Sequence, residues 1–198
     1  MIDRRTLFAS ALAASCVARP DPAAALWGEE IALPPAPIAG LTIAPELYPT
    51  VVRVKRSYEP GSIHVISSQH FLYYIVRPRV AIRYGVAVGK AELVYRGAAL
   101  VGRKVEWPSW KPTPEMIERD PAAYEKYADG MPGGPKNPLG ARAIYLYHDG
   151  IDTAIRIHGT TQPNSIGRSV SNGCLRMVNE HVIDLYDRVE LGAPVTVY

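Results

Sequence analysis

The chain has 198 residues and carries 22 Lys and Arg against 19 Asp and Glu, a formal net charge of +3, with 47% hydrophobic residues. That composition fits one globular domain with short extensions, and the lack of any block of Lys and Arg argues against nucleic acid as a partner. Eighteen prolines and sixteen glycines point to many turns, as in a mostly β fold.

Residues 1–25 read as an export signal. Arg4 and Arg5 precede a short Ala-rich apolar run, and Ala23-Ala24-Ala25 offers a cleavage site. The run is too short for the ~20 helical residues that cross a bilayer, and Pro20 and Pro22 would break a core helix. Arg4-Arg5-Thr-Leu-Phe fits a twin-arginine signal and an ordinary export signal alike. Either route places the mature protein in the periplasm. Ala14-Ser15-Cys16 matches part of a lipoprotein box, but Ala13 stands where Leu is expected, which argues against a lipid anchor at Cys16.

Residues 26–60, Pro- and Ala-rich, predict an extended arm, with Val51–Val54 as a first strand. Ile63–Ile66 and Phe71–Val76 are rich in β-branched and aromatic residues and predict a hairpin. Ala81–Val88 and Ala99–Val101 continue as strands. Thr113-Pro114-Glu115 is a helix start: Thr caps, Pro suits the first helical position, and Glu suits the positive end of the dipole. Pro121 interrupts that helix, and a second piece covers Ala122–Ala128. Gly130–Pro138 is loop. Trp107 and Trp110 beside it suit either a lid over a cleft or ordinary packing.

Ala141–Tyr147 and Ile151–Ile157 predict a hairpin turning at Asp149-Gly150. His158 then ends a strand, and residues 159–172 are loop. Asn179 is positioned to cap a helix whose apolar positions are Val182, Ile183, Tyr186 and Val189, ending at Gly192. His181 falls in its first turn, expected exposed. Val195–Tyr198 closes as a strand. The sequence reads as a mostly β domain over residues 61–198, with one or two short helices.

Cys174 stands out. Its only fellow cysteine, Cys16, lies in the leader, so an exported chain keeps one thiol with no disulfide partner. A nucleophile explains it. A thiol attacks as its thiolate, and an imidazole can take the proton. His158, sixteen positions upstream, is the candidate base. Asn172 and Gly173 are small or flexible just before the thiol, which suits backbone N–H groups converging on an oxyanion. No C-x-x-C or H-x-x-x-H spacing supports zinc held by His158, Cys174 and His181.

His158-Gly159-Thr160 together with Ser171-Asn172-Gly173-Cys174-Leu175-Arg176-Met177 resembles the signature of the L,D-transpeptidases with a YkuD-type catalytic domain. The resemblance covers roughly residues 61–198, including Asn137-Pro138-Leu139-Gly140-Ala141. It implies a β-sandwich-like, mostly β fold and a periplasmic enzyme that needs no metal or cofactor. It implies that Cys174 attacks the L,D-peptide bond of a peptidoglycan stem tetrapeptide and D-alanine leaves. The acyl group then passes to a diaminopimelate amine or to an amine of an outer-membrane protein or lipoprotein. By position, His158 is the base, and the Gly159 carbonyl holds its imidazole. The amides of Asn172, Gly173 and Cys174 form the oxyanion hole. Arg176, with Ser171, meets substrate or shapes its pocket. Many members carry His where Asn172 stands. Since His158 matches the base, Asn172 is expected to serve as a donor to substrate. Hydrolysis of the same acyl-enzyme, or an inert wall-binding module, are the alternatives.

Overall fold

The computed structural model describes Ile38 and residues 40–198. The expected export signal, Cys16 and the Pro-rich centre of the arm lie outside the described residues.

Among the described residues eleven strands form two sheets. In chain order they are β1 (Thr50–Arg53), β2 (Ile63–Ile66), β3 (Phe71–Arg77), β4 (Val80–Gly85), β5 (Val88–Gly89), β6 (Gly97–Glu106), β7 (Arg142–His148), β8 (Ile151–His158), β9 (Ser169–Ser171), β10 (Leu175–Arg176) and β11 (Pro194–Val197). Nine of them make one sheet in the order β1-β4-β3-β2-β11-β6-β7-β8-β10, and β5 pairs with β9. The C-terminal strand is the seam: β11 runs parallel to β2 and antiparallel to β6. The helices are short, α1 (Pro114–Arg119), α2 (Pro121–Tyr124) and α3 (Asn179–Arg188). This is the mostly β architecture with few short helices that the sequence predicts.

The elements form for local reasons. Ile63 and Val65 of β2 alternate inward and are fully buried, the period-2 pattern of a half-buried strand. The β7–β8 turn uses Asp149 and Gly150, both with positive φ (49° and 78°), as a two-residue type I′ hairpin requires. Thr113 caps α1 by accepting from the Met116 N–H, and Pro114 takes the first helical position. Val182 and Leu185 of α3 bury against Leu72, Ile144 and Ile157 of the sheet. A buried Leu of this kind contributes about 2–5 kcal/mol relative to Ala. Beneath α3 the Tyr84 hydroxyl donates to Asp184, which also accepts from Arg188. Burial first, then the Asp184 carboxylate, pushes the Tyr84 phenol well above its ordinary value.

Several sequence expectations need correction. The stretch Ala81–Val88 is not one strand: β4 stops at Gly85, where an added Cβ would lie 2.7 Å from the Leu47 carbonyl oxygen. The chain then leaves the sheet. Ala87 exchanges both backbone hydrogen bonds with Arg176 (2.9 Å each), and Val88 joins β9. The arm is not a free tether from Ile38 onward. Ile38, Leu41, Ile43 and Leu47 pack around Ala87, Ile166 and Val178, which takes their apolar side chains out of water. Asn179 is the first helical residue rather than the cap, and the helix ends at Arg188, before Gly192. His181 is buried, not exposed; in the first turn of α3, it faces the arm and meets the Tyr48 ring edge-on at 5.9 Å. Among the described residues no helix is long and apolar enough to cross a membrane.

Candidate active site

Strand pairing brings the two ends of the motif together. β10 runs parallel to β8 with Arg176 opposite His158 and Leu175 opposite Ile157, and the Met177 N–H donates to the His158 carbonyl at 2.8 Å. Alternate residues of a strand share a face. His158 and Arg156 therefore project to the same side as Cys174 and Arg176. All four line a single cleft of about 700 Å³.

His158 is almost wholly buried. Its Nδ1 lies 2.6 Å from the Gly159 carbonyl oxygen. A carbonyl only accepts, so Nδ1 carries the proton and Nε2 carries the lone pair. Burial lowers the imidazole pKa to about 4, the charges of Arg176 and Arg156 add to this, and backbone contacts with Gly159 and Leu139 oppose it. The ring is therefore neutral at pH 7 and able to accept a proton.

Gly159 is held by Asn179. The Asn179 Oδ1 accepts from the Ala141 N–H at 3.1 Å, and its Nδ2 donates to the Thr160 carbonyl at 3.2 Å. A Cβ on Gly159 would sit 2.1 Å from that Oδ1. Asn179 thus clamps the residue that orients the imidazole, a role the sequence did not reveal.

Cys174 follows a tight turn. The Ser171 hydroxyl donates to the Cys174 carbonyl (2.6 Å) and accepts from the Gly173 N–H (3.2 Å). Gly173 has φ of 117°, a conformation that favours glycine. Ser171 is buried and lines the cleft, and its hydroxyl builds the turn. The Gly173 amide is also engaged, while the Asn172 and Cys174 amides donate no hydrogen bond among the described residues. The sulfur points at the Ala154 carbonyl, 3.7 Å away. Burial pushes the thiol pKa up; the Arg156 backbone and the charges of Arg156 and Arg176 pull it down, and Asp152 pushes it up. The resting pair is thiol and neutral imidazole.

The far wall of the cleft comes from the segment between β6 and β7. Trp110 packs edge-on to Tyr127 (ring centroids 5.7 Å apart) and pairs with Met131 through two backbone hydrogen bonds. Trp110 lines the cleft; Trp107 is exposed outside it. Asn172 meets this wall instead of standing free. It accepts from the Arg119 guanidinium at 2.9 Å and donates to the Tyr124 hydroxyl at 3.3 Å. Arg176 bonds only weakly to Gln162, at 3.4 Å, and keeps donors for a carboxylate. Among the described residues no group of three His, Cys, Asp or Glu is arranged to hold a metal ion.

Comparison with known proteins identifies the family of this domain. Residues 60–197 match the family described as the L,D-transpeptidase catalytic domain, YkuD, and the chain belongs to that family. It is 31% identical over 139 residues to the probable L,D-transpeptidase ErfK/SrfK of Escherichia coli K12, covering 69% of this chain and 43% of that one. The chain spans about half the length of the first curated relatives it matches. A Brucella melitensis structure described as a probable carnitine operon oxidoreductase is 54% identical, covers 76% of this chain and 93% of its own, and has a TM-score of 0.55. The C442S mutant of the Enterococcus faecium L,D-transpeptidase is 20% identical, with a TM-score of 0.53 over 71% of this chain and 50% of its own. At that identity the likeness concerns the fold alone.

Proposed function

We propose that this chain is a periplasmic, cysteine-dependent acyltransferase that acts on peptidoglycan stem peptides. The observation that carries the reading is the Nδ1–H of His158 fixed on the Gly159 carbonyl, with Cys174 in the same cleft. In the first step His158 Nε2 takes the thiol proton as the sulfur attacks the carbonyl of the L,D-peptide bond. The carbonyl oxygen becomes an oxyanion facing the Cys174 N–H. The C–N bond breaks, His158 returns the proton to the nitrogen, and D-alanine leaves. A thioester remains on Cys174. An incoming amine then loses a proton to His158, attacks the thioester carbon, and regenerates the thiol. Arg176 is suited to a carboxylate of the donor stem. The acceptor is a diaminopimelate amine or an amine of an envelope protein.

The periplasmic placement rests on the leader-like residues 1–25. The description of the Brucella relative as an oxidoreductase belongs to that protein; the family match and the thiol–imidazole cleft support acyl transfer here. Purified tetrapeptide muropeptides test the reading. Cross-linked dimers with released D-alanine support transfer. Tripeptides alone would make the chain a hydrolase, and binding to sacculi without turnover would make it a wall-binding module.

A further inference from the structure

Strand β8 is irregular just before the proposed base. Its register with β7 shifts between Tyr145 and Tyr147, and Ala154 has a positive φ of 60°, sparsely populated for a residue with a Cβ. Such a bulge re-aims the chain and persists only when its surroundings hold it. Two side chains hold this one. The Asp152 Oδ1 accepts from the Ala154 N–H at 2.9 Å, and the Thr153 Oγ1 accepts from the Ile155 N–H at 3.2 Å. The result turns the Ala154 carbonyl onto the Cys174 sulfur.

The same bulge fixes a cation. The Arg156 guanidinium donates to both oxygens of Asp152, Nη1 to Oδ1 at 2.6 Å and Nη2 to Oδ2 at 2.8 Å. It also lies 4.3 Å over the Tyr145 ring. A fork pinned to a carboxylate and stacked on an aromatic ring has little freedom to swing away. Extending the β8–β10 register one residue back from Leu175 and Ile157 sets Arg156 beside Cys174. The acyl-transfer steps at Cys174 and His158 do not call on Arg156.

We propose that Arg156 is a positioning residue for the nucleophile, a clamped guanidinium beside Cys174 that steadies the sulfur as it becomes an anion, with Asp152 setting how much of that charge the sulfur feels. The inference rests on Cys174 being the nucleophile. Arg156 and Asp152 face the thiol from β8, along with the neutral His158. Arg176 faces it from β10. Arg119, Lys111 and Lys136, with Glu115 as the acid, stand across the cleft on the segment joining β6 to β7. Of these, Arg156 is the cation whose backbone also meets the sulfur.

The two members of the clamp act on the thiol with opposite sign. Arg156→Gln removes the cation and disfavours the thiolate. Asp152→Asn keeps a side-chain acceptor for the Ala154 N–H and leaves the guanidinium on Tyr145, but removes the anion that offsets it, and so favours the thiolate. A purely structural role would loosen the site in both variants and move the thiol the same way.

The test is the pH dependence of Cys174 alkylation by iodoacetamide on the full chain, read at the Cys174 peptide by mass spectrometry so that Cys16 does not contribute. Arg156→Gln should move the midpoint up by about one pH unit, which makes alkylation about tenfold slower below it. Asp152→Asn should move it down. Arg156→Lys, with the charge kept and the fork lost, should fall between wild type and Arg156→Gln. If Arg156→Gln does not fold, a downward shift in Asp152→Asn still supports the proposal, and an unmoved or raised midpoint overturns it. An Arg156→Gln profile that superimposes on wild type also overturns it. Iodoacetamide needs no peptidoglycan, so the two readings fail separately. Midpoint shifts in a chain inert toward muropeptides would fail the transpeptidase reading, and turnover without shifts would fail this one.

Discussion

His181 makes the stability of this domain depend on acid in a way that can be worked out. The side chain is fully buried in α3, and neither ring nitrogen has a hydrogen-bond partner. Burial lowers its pKa to about 4 from 6.5, against a smaller opposing effect of Asp184. The folded state therefore prefers the neutral ring, while the unfolded chain gains a proton near pH 6.5. Above pH 6.5 neither state is protonated there and the domain keeps its full stability. Between pH 6.5 and 4 the unfolded chain binds the extra proton, so stability falls as pH falls, by about 1.4 kcal/mol per unit. Below the folded pKa the loss levels off at about 3 kcal/mol. His181→Leu removes this contribution and, at pH 7, replaces an unpartnered buried polar ring by an apolar group. Urea denaturation of both proteins at half-unit steps from pH 7 to pH 4 measures it. The variant should show the shallower dependence, with a difference of about 3 kcal/mol accumulating across the window. His158 titrates with the same sign in both proteins and cancels. Superimposable pH profiles would refute the reasoning.

Other predictions concern the supports of the cleft. Asn172→Ala cuts the bonds to Arg119 and Tyr124 and frees the wall from the nucleophile turn. Limited trypsin cleavage within residues 111–136 should become about 3–10-fold faster, the equivalent of one net hydrogen bond, and an unchanged rate would show that Asn172 does not hold the wall. Gly159→Ala places a methyl against the Asn179 amide and forces it off Ala141 and Thr160. Denaturant melts should show a loss of about 2–4 kcal/mol, and a variant within 0.5 kcal/mol of wild type would mean the clamp is slack.

What the sequence made legible was local. Thr113 and Pro114 start a helix by side-chain chemistry that needs no tertiary partner, and Asp149-Gly150 specifies its turn through backbone preference alone. His158, Gly173 and Cys174 could be singled out because the thiol had no partner and the spacing formed a joint motif. The contacts that arm the site were not legible, since some depend on chain far away in sequence and the local ones on a turn that only the fold sets. Asn179 looked like a cap because Asn caps helices; the structure gives its amide to Ala141 and Thr160 instead. Asn172 looked like a donor to substrate because nothing in the sequence brings Arg119 and Tyr124 to it. Ser171 lay within the motif, but its part in the turn appears only once the turn is folded. His181 looked exposed because its helix was known while the arm covering it was not. Arg156 did leave a trace. In Arg156-Ile157-His158 the arginine shares a strand face with the base, a signal the reading of the sequence did not use.

The central claim is that Cys174 carries the acyl group. Intact and peptide mass spectrometry after incubating the full chain with a tetrapeptide donor and no added acceptor tests it most directly. The account predicts a tripeptide acyl group on the Cys174 peptide, D-alanine released in equal amount, and neither in Cys174→Ala. Release of D-alanine by the Cys174→Ala protein would contradict it.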